Sequence, residues 1–125
     1  MDTEEKRAHM LLKSVIFHYH GLDETEAQNL EETAEQLEAR EELIWANEFI
    51  AKDFITSFDR ARDYLLNIIG DYPKKKRKKY IQMVWEANNL KGFITELEAA
   101  AMLKLARDWK VEEELKEIAR QKKYA

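Results

Sequence analysis

Apolar residues recur along most of this chain at intervals of three and four positions, which is the spacing of one buried face of an α-helix. Over residues 3–19 they form such a face, and it includes Leu11, Ile16 and Tyr19. Over residues 23–37 the apolar stripe is narrow and its neighbours are nearly all polar, so this second helix should lie at the surface. The N-terminal part of the chain is therefore predicted to form two amphipathic helices.

The middle of the chain continues the helical pattern with one interruption. Residues 40–58 carry an apolar face that includes Phe54 and Ile55. Asn47 interrupts this face, and we expect Asp53 or Ser57 to cap a restart within the region. The spacing therefore places Phe54 and Ile55 on the buried side of the region.

The remaining pattern predicts further helices joined by short connections. An apolar stripe over residues 61–72 should end near Gly70, since glycine is common just after a helix. Pro73 then suits the first position of the next helix, where a missing N–H has the least effect. Helices that start near Thr95 and Val111 complete an all-α fold of about six to seven helices.

Composition supports this fold class. The 125 residues include one proline, three glycines and no cysteine, while alanine, leucine, glutamate and lysine are abundant. They favour a single helical domain over residues 1–125 that has no disulfides. No apolar run approaches about 18 residues, and the acidic residues 1–5 lack the apolar core of a signal peptide. We therefore expect a cytoplasmic protein with no transmembrane segment.

Two helix-start signals of the same kind lie in the two halves of the chain. Asp23 is followed three positions later by Glu26, and Thr95 is followed in the same way by Glu98. In such a capping box, the first side chain accepts a hydrogen bond from an orphan backbone N–H, and the glutamate reaches back to the cap. We predict that these four residues are structural caps and that the fold contains a two-fold pseudo-repeat.

The second of these signals resembles the TerB-like family, which is named for bacterial tellurite-resistance proteins. Its signature is roughly Ala-x-x-Asp-Gly-x-Ile/Val-Ser/Thr/Asp-x-x-Glu at the start of a helix in each half. Gly92, Ile94, Thr95 and Glu98 match it at the right spacing, while Lys91 stands where the family usually has aspartate. The order of elements matches over nearly the whole chain.

The first half matches less fully. Leu22, Asp23 and Glu26 fit the pattern, but Tyr19 and His20 stand where Asp-Gly is usual. The resemblance implies an all-α fold of about seven helices and a non-enzymatic accessory or scaffold domain that acts through protein contacts, as in a bacterial stress response. Some members have acidic clusters suspected of binding divalent metal, and here both Asp-Gly aspartates are missing. We therefore expect no metal or other cofactor.

The net charge of −4 hides a strong asymmetry. Residues 1–72 carry 7 basic and 17 acidic residues, whereas residues 73–125 carry 14 basic and 8 acidic ones. Cations in the first turn of a helix oppose its dipole, at about 0.3–1 kcal/mol each. One basic run does this at the start of a predicted helix, and its members are Lys74, Lys75, Lys76, Arg77, Lys78 and Lys79.

Two hypotheses explain this basic run. The acidic helix within residues 23–42 or its neighbour neutralises it, which would be a structural role. Alternatively, residues 74–79 bind an anionic partner, such as lipid headgroups on a membrane surface or nucleic acid. We favour the structural role slightly, because the chain is acidic overall and lacks a recognisable nucleic-acid recognition helix.

Other candidate chemistry is sparse. The chain has no cysteine, and its two serines, Ser14 and Ser57, have no catalytic motif around them, so we expect no enzyme activity. Trp45 and Phe49 form a second apolar stripe on residues 40–58, which is typical of core but could also form a homodimer surface. One further alternative is a metal-dependent regulator that uses the carboxylates of Glu31, Glu32, Glu35, Glu38 and Glu42.

Overall fold

The computed structural model describes residues 1–19, 21–90 and 92–124, with side chains as far as residue 121. His20 and Lys91, which depart from the family signature, lie outside the described residues. All regular structure in the described part of the chain is helical, which confirms the all-α prediction. Its α-helices are α1 (Thr3–Tyr19), α2 (Glu24–Leu37), α3 (Arg40–Lys52), α4 (Ser57–Leu66), α5 (Lys74–Asn88), α6 (Glu96–Asp108) and α7 (Glu112–Tyr124).

The helices divide into two compact units, Met1–Ile68 and Ile69–Ala125. The first contains α1 to α4, and the second contains α5 to α7 after a short 3₁₀ turn at Ile69–Asp71. Each unit thus holds one of the two helix-start signals. A single domain over residues 1–125 and a pseudo-repeat between the halves both stay predictions.

In the first unit, α1 is the central helix and packs against α2, α3 and α4. Eight of its 17 residues are buried, and Met10, Leu12 and Phe17 have no exposed surface. A helix that is apolar on more than one face can bury this much only when neighbours surround it. By contrast, α2 buries a narrow stripe centred on Leu30 and Ala34, as its sequence predicts.

The helical region predicted over residues 40–58 is broken in the structure. Helix α3 ends at Lys52, and Asp53 adopts an extended conformation with φ −159° and ψ 98°. Arg60 of α4 donates to the carbonyl oxygens of Phe49 at 3.0 Å and Asp53 at 2.7 Å, so carbonyls at the end of α3 have a partner. A side chain from the next helix therefore replaces the hydrogen bonds that a continuous helix would make.

The expected caps of this restart were wrong. Asp53 is the C-terminal cap of α3, and α4 begins after Thr56, whose side chain makes no capping hydrogen bond. The Ser57 hydroxyl donates to the carbonyl oxygen of Phe54 at 2.7 Å instead. Further along, α4 ends at Leu66 rather than near Gly70, which lies within the 3₁₀ turn.

The second unit packs α5, α6 and α7 against one another. Pro73 is the residue just before α5, with φ −54° and ψ 150°, so the chain enters that helix where the sequence predicts. Trp109, which follows α6, has no exposed surface and is the largest fully buried side chain in this unit. The apolar stripes of all three helices therefore meet in one core.

Both predicted capping boxes are present. The Asp23 carboxylate accepts from the Glu26 N–H at 2.7 Å, and the Glu26 carboxylate accepts from the Asp23 N–H at 3.1 Å. The matching distances for Thr95 and Glu98 are 3.2 Å and 2.8 Å. Both glutamates are buried, so they contribute to the core boundary as well as to the helix ends.

Candidate functional site

The basic run lies at the start of α5, and the helix itself offers it no counter-charge in the first turn. The first turn of this helix contains no acidic residue, and Pro73 supplies no side-chain cap. Lys74, Lys75, Lys78 and Lys79 are exposed, whereas Lys76 and Arg77 are partly buried. The run is therefore not one uniform surface, and its members have different roles.

Arg77 of the run has a structural role. Its guanidinium donates to the carbonyl oxygen of Tyr72 at 2.9 Å and to that of Trp109 at 2.7 Å. The first bond holds the turn before α5, and the second reaches the end of α6. Arginine can do this because its planar group carries several donors in a fixed fork. Arg77 therefore joins two chain segments within the second unit.

Two lysines of the run also have partners in the second unit. Lys74 forms an ion pair of 3.2 Å with Glu114 in the first turn of α7. The Lys76 ammonium lies 4.4 Å from the ring centre of Tyr72, which is the geometry of a cation–π contact. Lys78 lines a surface depression of about 360 Å³ together with Glu113 and Glu117 of α7.

These contacts give the run a source of counter-charge that the sequence did not indicate. The acidic residues seen beside it come from α7, whereas the sequence pointed to residues 23–42. Among the described residues, Lys75 and Lys79 make no ion pair, and both face away from the core of the unit. The surface that could meet an external anion is thus smaller than six residues.

The electrostatics of Glu114 follow from its position. Two hydrogen bonds hold the pKa of this carboxyl below its usual 4.5. The larger effect comes from the backbone N–H of Glu114 itself, and the next from the Lys74 side chain. Because the folded protein favours the ionised form, this contribution to stability is fully present above about pH 4.5. It is lost as the pH falls through the lowered pKa.

We expect opposite effects from two changes in the run. Lys75→Gln with Lys79→Gln should raise the melting temperature slightly at low salt. The double change removes an unpaired first-turn cation and an i, i+4 repulsion, which together cost about 0.5–1 kcal/mol.

Lys74→Gln should lower the free energy of unfolding at neutral pH by up to about 0.5 kcal/mol, since the Glu114 ion pair is removed. For the same reason, the free energy of unfolding of this variant should fall less in acid than that of the wild type.

Thermal melts at low and high salt, repeated at acidic pH, measure both effects. Lys104→Gln, at an exposed position on α6, is the matched control for a change of net charge. A double variant that melts below the wild type at low salt would show that Lys75 and Lys79 have intramolecular partners in solution.

The acidic cluster proposed as a metal site is divided between α2, which Glu38 caps at its C-terminal end, and α3, where Glu42 is buried. Glu31, Glu32 and Glu35 are exposed on α2, and Glu31 pairs with Arg40 at 3.6 Å. Glu32 accepts a hydrogen bond from Gln28 at 3.1 Å. Among the residues that the structure describes, no group of three or more His, Asp or Glu side chains is arranged to hold a metal ion.

An apolar surface that the sequence analysis missed lies in the first unit, at the turn between α3 and α4. Ile55 is 92% exposed and Phe54 is 59% exposed, although their spacing predicted burial. Tyr19, predicted on the buried face of α1, is 43% exposed and contacts Phe58 with 5.5 Å between ring centres. We call Tyr19, Phe54, Ile55 and Phe58 the apolar patch.

A groove of about 280 Å³ lies within the patch. Val15 is buried in its lining, and the four patch residues and Ser57 complete it. The ring of His18 lies edge-on beside Phe54, with 6.4 Å between centres, and burial lowers the pKa of this imidazole against a weaker opposing effect of Glu26. The lowered pKa favours the neutral form of the imidazole beside the patch. One signal for the patch was present in the sequence, namely Asp53 as a candidate cap of a helix restart just before Phe54.

The Trp45 and Phe49 stripe, considered as a homodimer surface, is engaged within the first unit. Both rings contact Tyr64 of α4, with 5.3 Å and 6.0 Å between centres. Arg7 lies over Trp45 at 5.1 Å, and Arg60 lies over Phe49 at 4.8 Å. The exposed apolar surface of this unit is thus centred on the α3–α4 turn rather than on this stripe.

Comparison with known proteins finds no relative of this chain. The chain matches no protein-family model, no curated protein and no solved structure. Within the described residues, no helix is both long enough and apolar enough to cross a membrane. The resemblance to the TerB-like family therefore rests on the capping-box motifs and the order of helices.

Proposed function

We propose that this chain is a non-enzymatic, TerB-like accessory domain that acts through protein contacts made by the apolar patch. The observation that carries the proposal is the near-complete exposure of Ile55 beside an apolar groove. Large apolar side chains grouped at a surface mark interaction sites, because exposing them to water is unfavourable unless a partner covers them. The fold class and the two capping boxes are consistent with the TerB-like part of the proposal.

Other features support a role in binding rather than catalysis. Ser14 and Ser57, the only serines, are both buried, and the Ser57 hydroxyl is already used in a hydrogen bond to Phe54. The basic run is a weaker basis for function than the patch, because Arg77 and Lys74 have partners in their own unit. The cellular setting suggested by the family resemblance is a bacterial stress response.

Site-specific photo-crosslinking in the cells that produce the chain tests the proposal. A photoreactive phenylalanine analogue at position 55 should give discrete protein adducts. The same analogue at position 44 is the matched control, since Ile44 is also an exposed isoleucine of the first unit, at 54%, but lies outside the groove lining. Equal adduct patterns at the two positions, or no protein adduct at position 55, would contradict a protein-contact role for the patch.

A further inference from the structure

We propose that the apolar patch binds a second copy of this chain, as a two-fold dimer in which Ile55 of each copy enters the groove of the other. This inference rests on the proposed function, because it names the partner of the same patch. A two-fold contact requires one surface that is complementary to itself. The projecting side chain and the groove must therefore lie next to each other on the same face.

The patch meets this requirement. Ile55 projects from the turn with 92% of its surface exposed, and the groove beside it has an apolar lining that includes the rings of Tyr19, Phe54 and Phe58. The groove floor reaches Val15 of α1, which is otherwise buried. A branched aliphatic side chain is apolar and compact, so it suits such a groove, and each dimer would bury two of them.

Charge around the patch also favours a copy of the same chain. Residues 52–62 carry the basic residues Lys52, Arg60 and Arg62 and the acidic residues Asp53 and Asp59. The first 51 residues, in contrast, carry four basic and thirteen acidic residues. A surface of one sign would repel its own copy, whereas a mixed rim does not. In this acidic unit, the segment that contains the patch residues Phe54, Ile55 and Phe58 is thus nearly balanced in charge.

The two charges next to the patch allow pairing across a two-fold axis. Lys52 and Asp53 are both exposed, and they precede Phe54 directly. Around the axis, Lys52 of one copy can approach Asp53 of the other, and the reverse pair forms by symmetry. An anionic membrane surface would attract Lys52, Arg60 and Arg62 but repel Asp53 and Asp59, so the charges of this segment do not select a membrane. A strongly charged protein partner would leave one of the two signs without a match.

The patch consists of few residues, so the dimer should be weak and reversible, as small interfaces are. Sedimentation equilibrium of the full chain from about 10 µM to about 1 mM should show a monomer–dimer equilibrium. Ile55→Lys should weaken dimerisation by at least about 100-fold, because two buried isoleucines are lost and two charges are desolvated. Ile44→Lys, which adds the same charge to the same unit outside the groove lining, should dimerise like the wild type.

Disulfide trapping tests the geometry. The chain has no cysteine, so each introduced thiol is unique. Mixing the Ile55→Cys and Tyr19→Cys variants under mild oxidation should give a covalent 55–19 dimer much faster than mixing Ile44→Cys with Tyr19→Cys. Equal rates, or a wild type that stays monomeric throughout the concentration range, would overturn the dimer.

Failure of the dimer and failure of the proposed function give different results. A monomeric chain that forms discrete adducts with another protein from position 55 in cells overturns the dimer only. A monomeric chain that instead binds phosphatidylcholine–phosphatidylglycerol vesicles through Ile55, and forms no protein adduct, overturns both. Circular dichroism of each variant checks that the helical fold is kept. We expect the fold to be kept because Tyr19, Ile44 and Ile55 are all exposed.

Discussion

Replacing Arg77 by alanine should lower the free energy of unfolding by about 2–4 kcal/mol, although Arg77 belongs to a run of surface cations. Its guanidinium makes two charge-assisted hydrogen bonds, to the carbonyl oxygens of Tyr72 and Trp109, in a partly buried position. Such bonds contribute about 1.5–3 kcal/mol each, and water recovers part of the loss at a partly exposed site. Urea denaturation followed by circular dichroism measures the change.

Two variants make this test specific to the geometry of Arg77. Lys75→Ala removes a neighbouring cation that has no ion-pair partner among the described residues, and should change stability by no more than about 0.5 kcal/mol. Arg77→Lys keeps the charge but has a single donor group, so it should recover less than half of the loss. Similar losses for the alanine variants at positions 75 and 77 would disprove the structural role of Arg77.

Truncating Trp109 to alanine should have the largest effect of any single change considered, about 3–5 kcal/mol. This side chain has no exposed surface and follows directly after α6, where its backbone N–H donates to the carbonyl oxygen of Leu105 at 3.0 Å. Removing the fully buried indole leaves a cavity in the second unit. Urea denaturation and near-ultraviolet circular dichroism report the loss of stability and of packing.

Trp109→Phe is the control for this prediction. The phenylalanine ring keeps much of the apolar surface of the indole. The substitution also breaks no hydrogen bond within the described residues, because the indole N–H of Trp109 has no acceptor there. The phenylalanine variant should therefore lose less than half as much stability as the alanine variant. If both lose the same amount, packing of the ring is not what Trp109 contributes.

Arg77 and Trp109 together give a stricter test, because they meet at one hydrogen bond. Collapse of the chain around an alanine at position 109 should displace the carbonyl oxygen that Arg77 binds. The double variant should then lose less stability than the two single losses added together, since contacting residues are not independent. Strict additivity would indicate that the backbone at Trp109 keeps its place without the ring.

Local features of the sequence sufficed to predict the helical class and most helix starts, although not the break between α3 and α4. The bounds of α1 agree with the apolar pattern over residues 3–19, and Pro73 immediately precedes α5. Both capping boxes form at Asp23 and Thr95 as predicted. These features depend on side chains and backbone groups within one turn of each other, so a short segment of sequence contains all the partners.

The candidate sites depended on partners far away in sequence. The same 3.6-residue pattern predicted that Phe54 and Ile55 are buried, because periodicity describes a face only while the helix continues. Where the helix stops, Arg60 reaches back 11 residues to the carbonyl of Phe49 and 7 residues to that of Asp53. The break turns a predicted buried face into the apolar patch.

For the basic run too, some properties follow from the sequence and others only from the tertiary structure. The sequence by itself determined that six cations begin a helix without a local counter-charge. It also determined the helical class, the two capping boxes and the charge asymmetry. Only the tertiary structure decided that Arg77 binds a carbonyl 32 residues away and that Lys74 pairs with Glu114. Hydrogen-bond partners at such separations are selected by how the helices pack, and periodicity and propensity within each helix do not specify that packing.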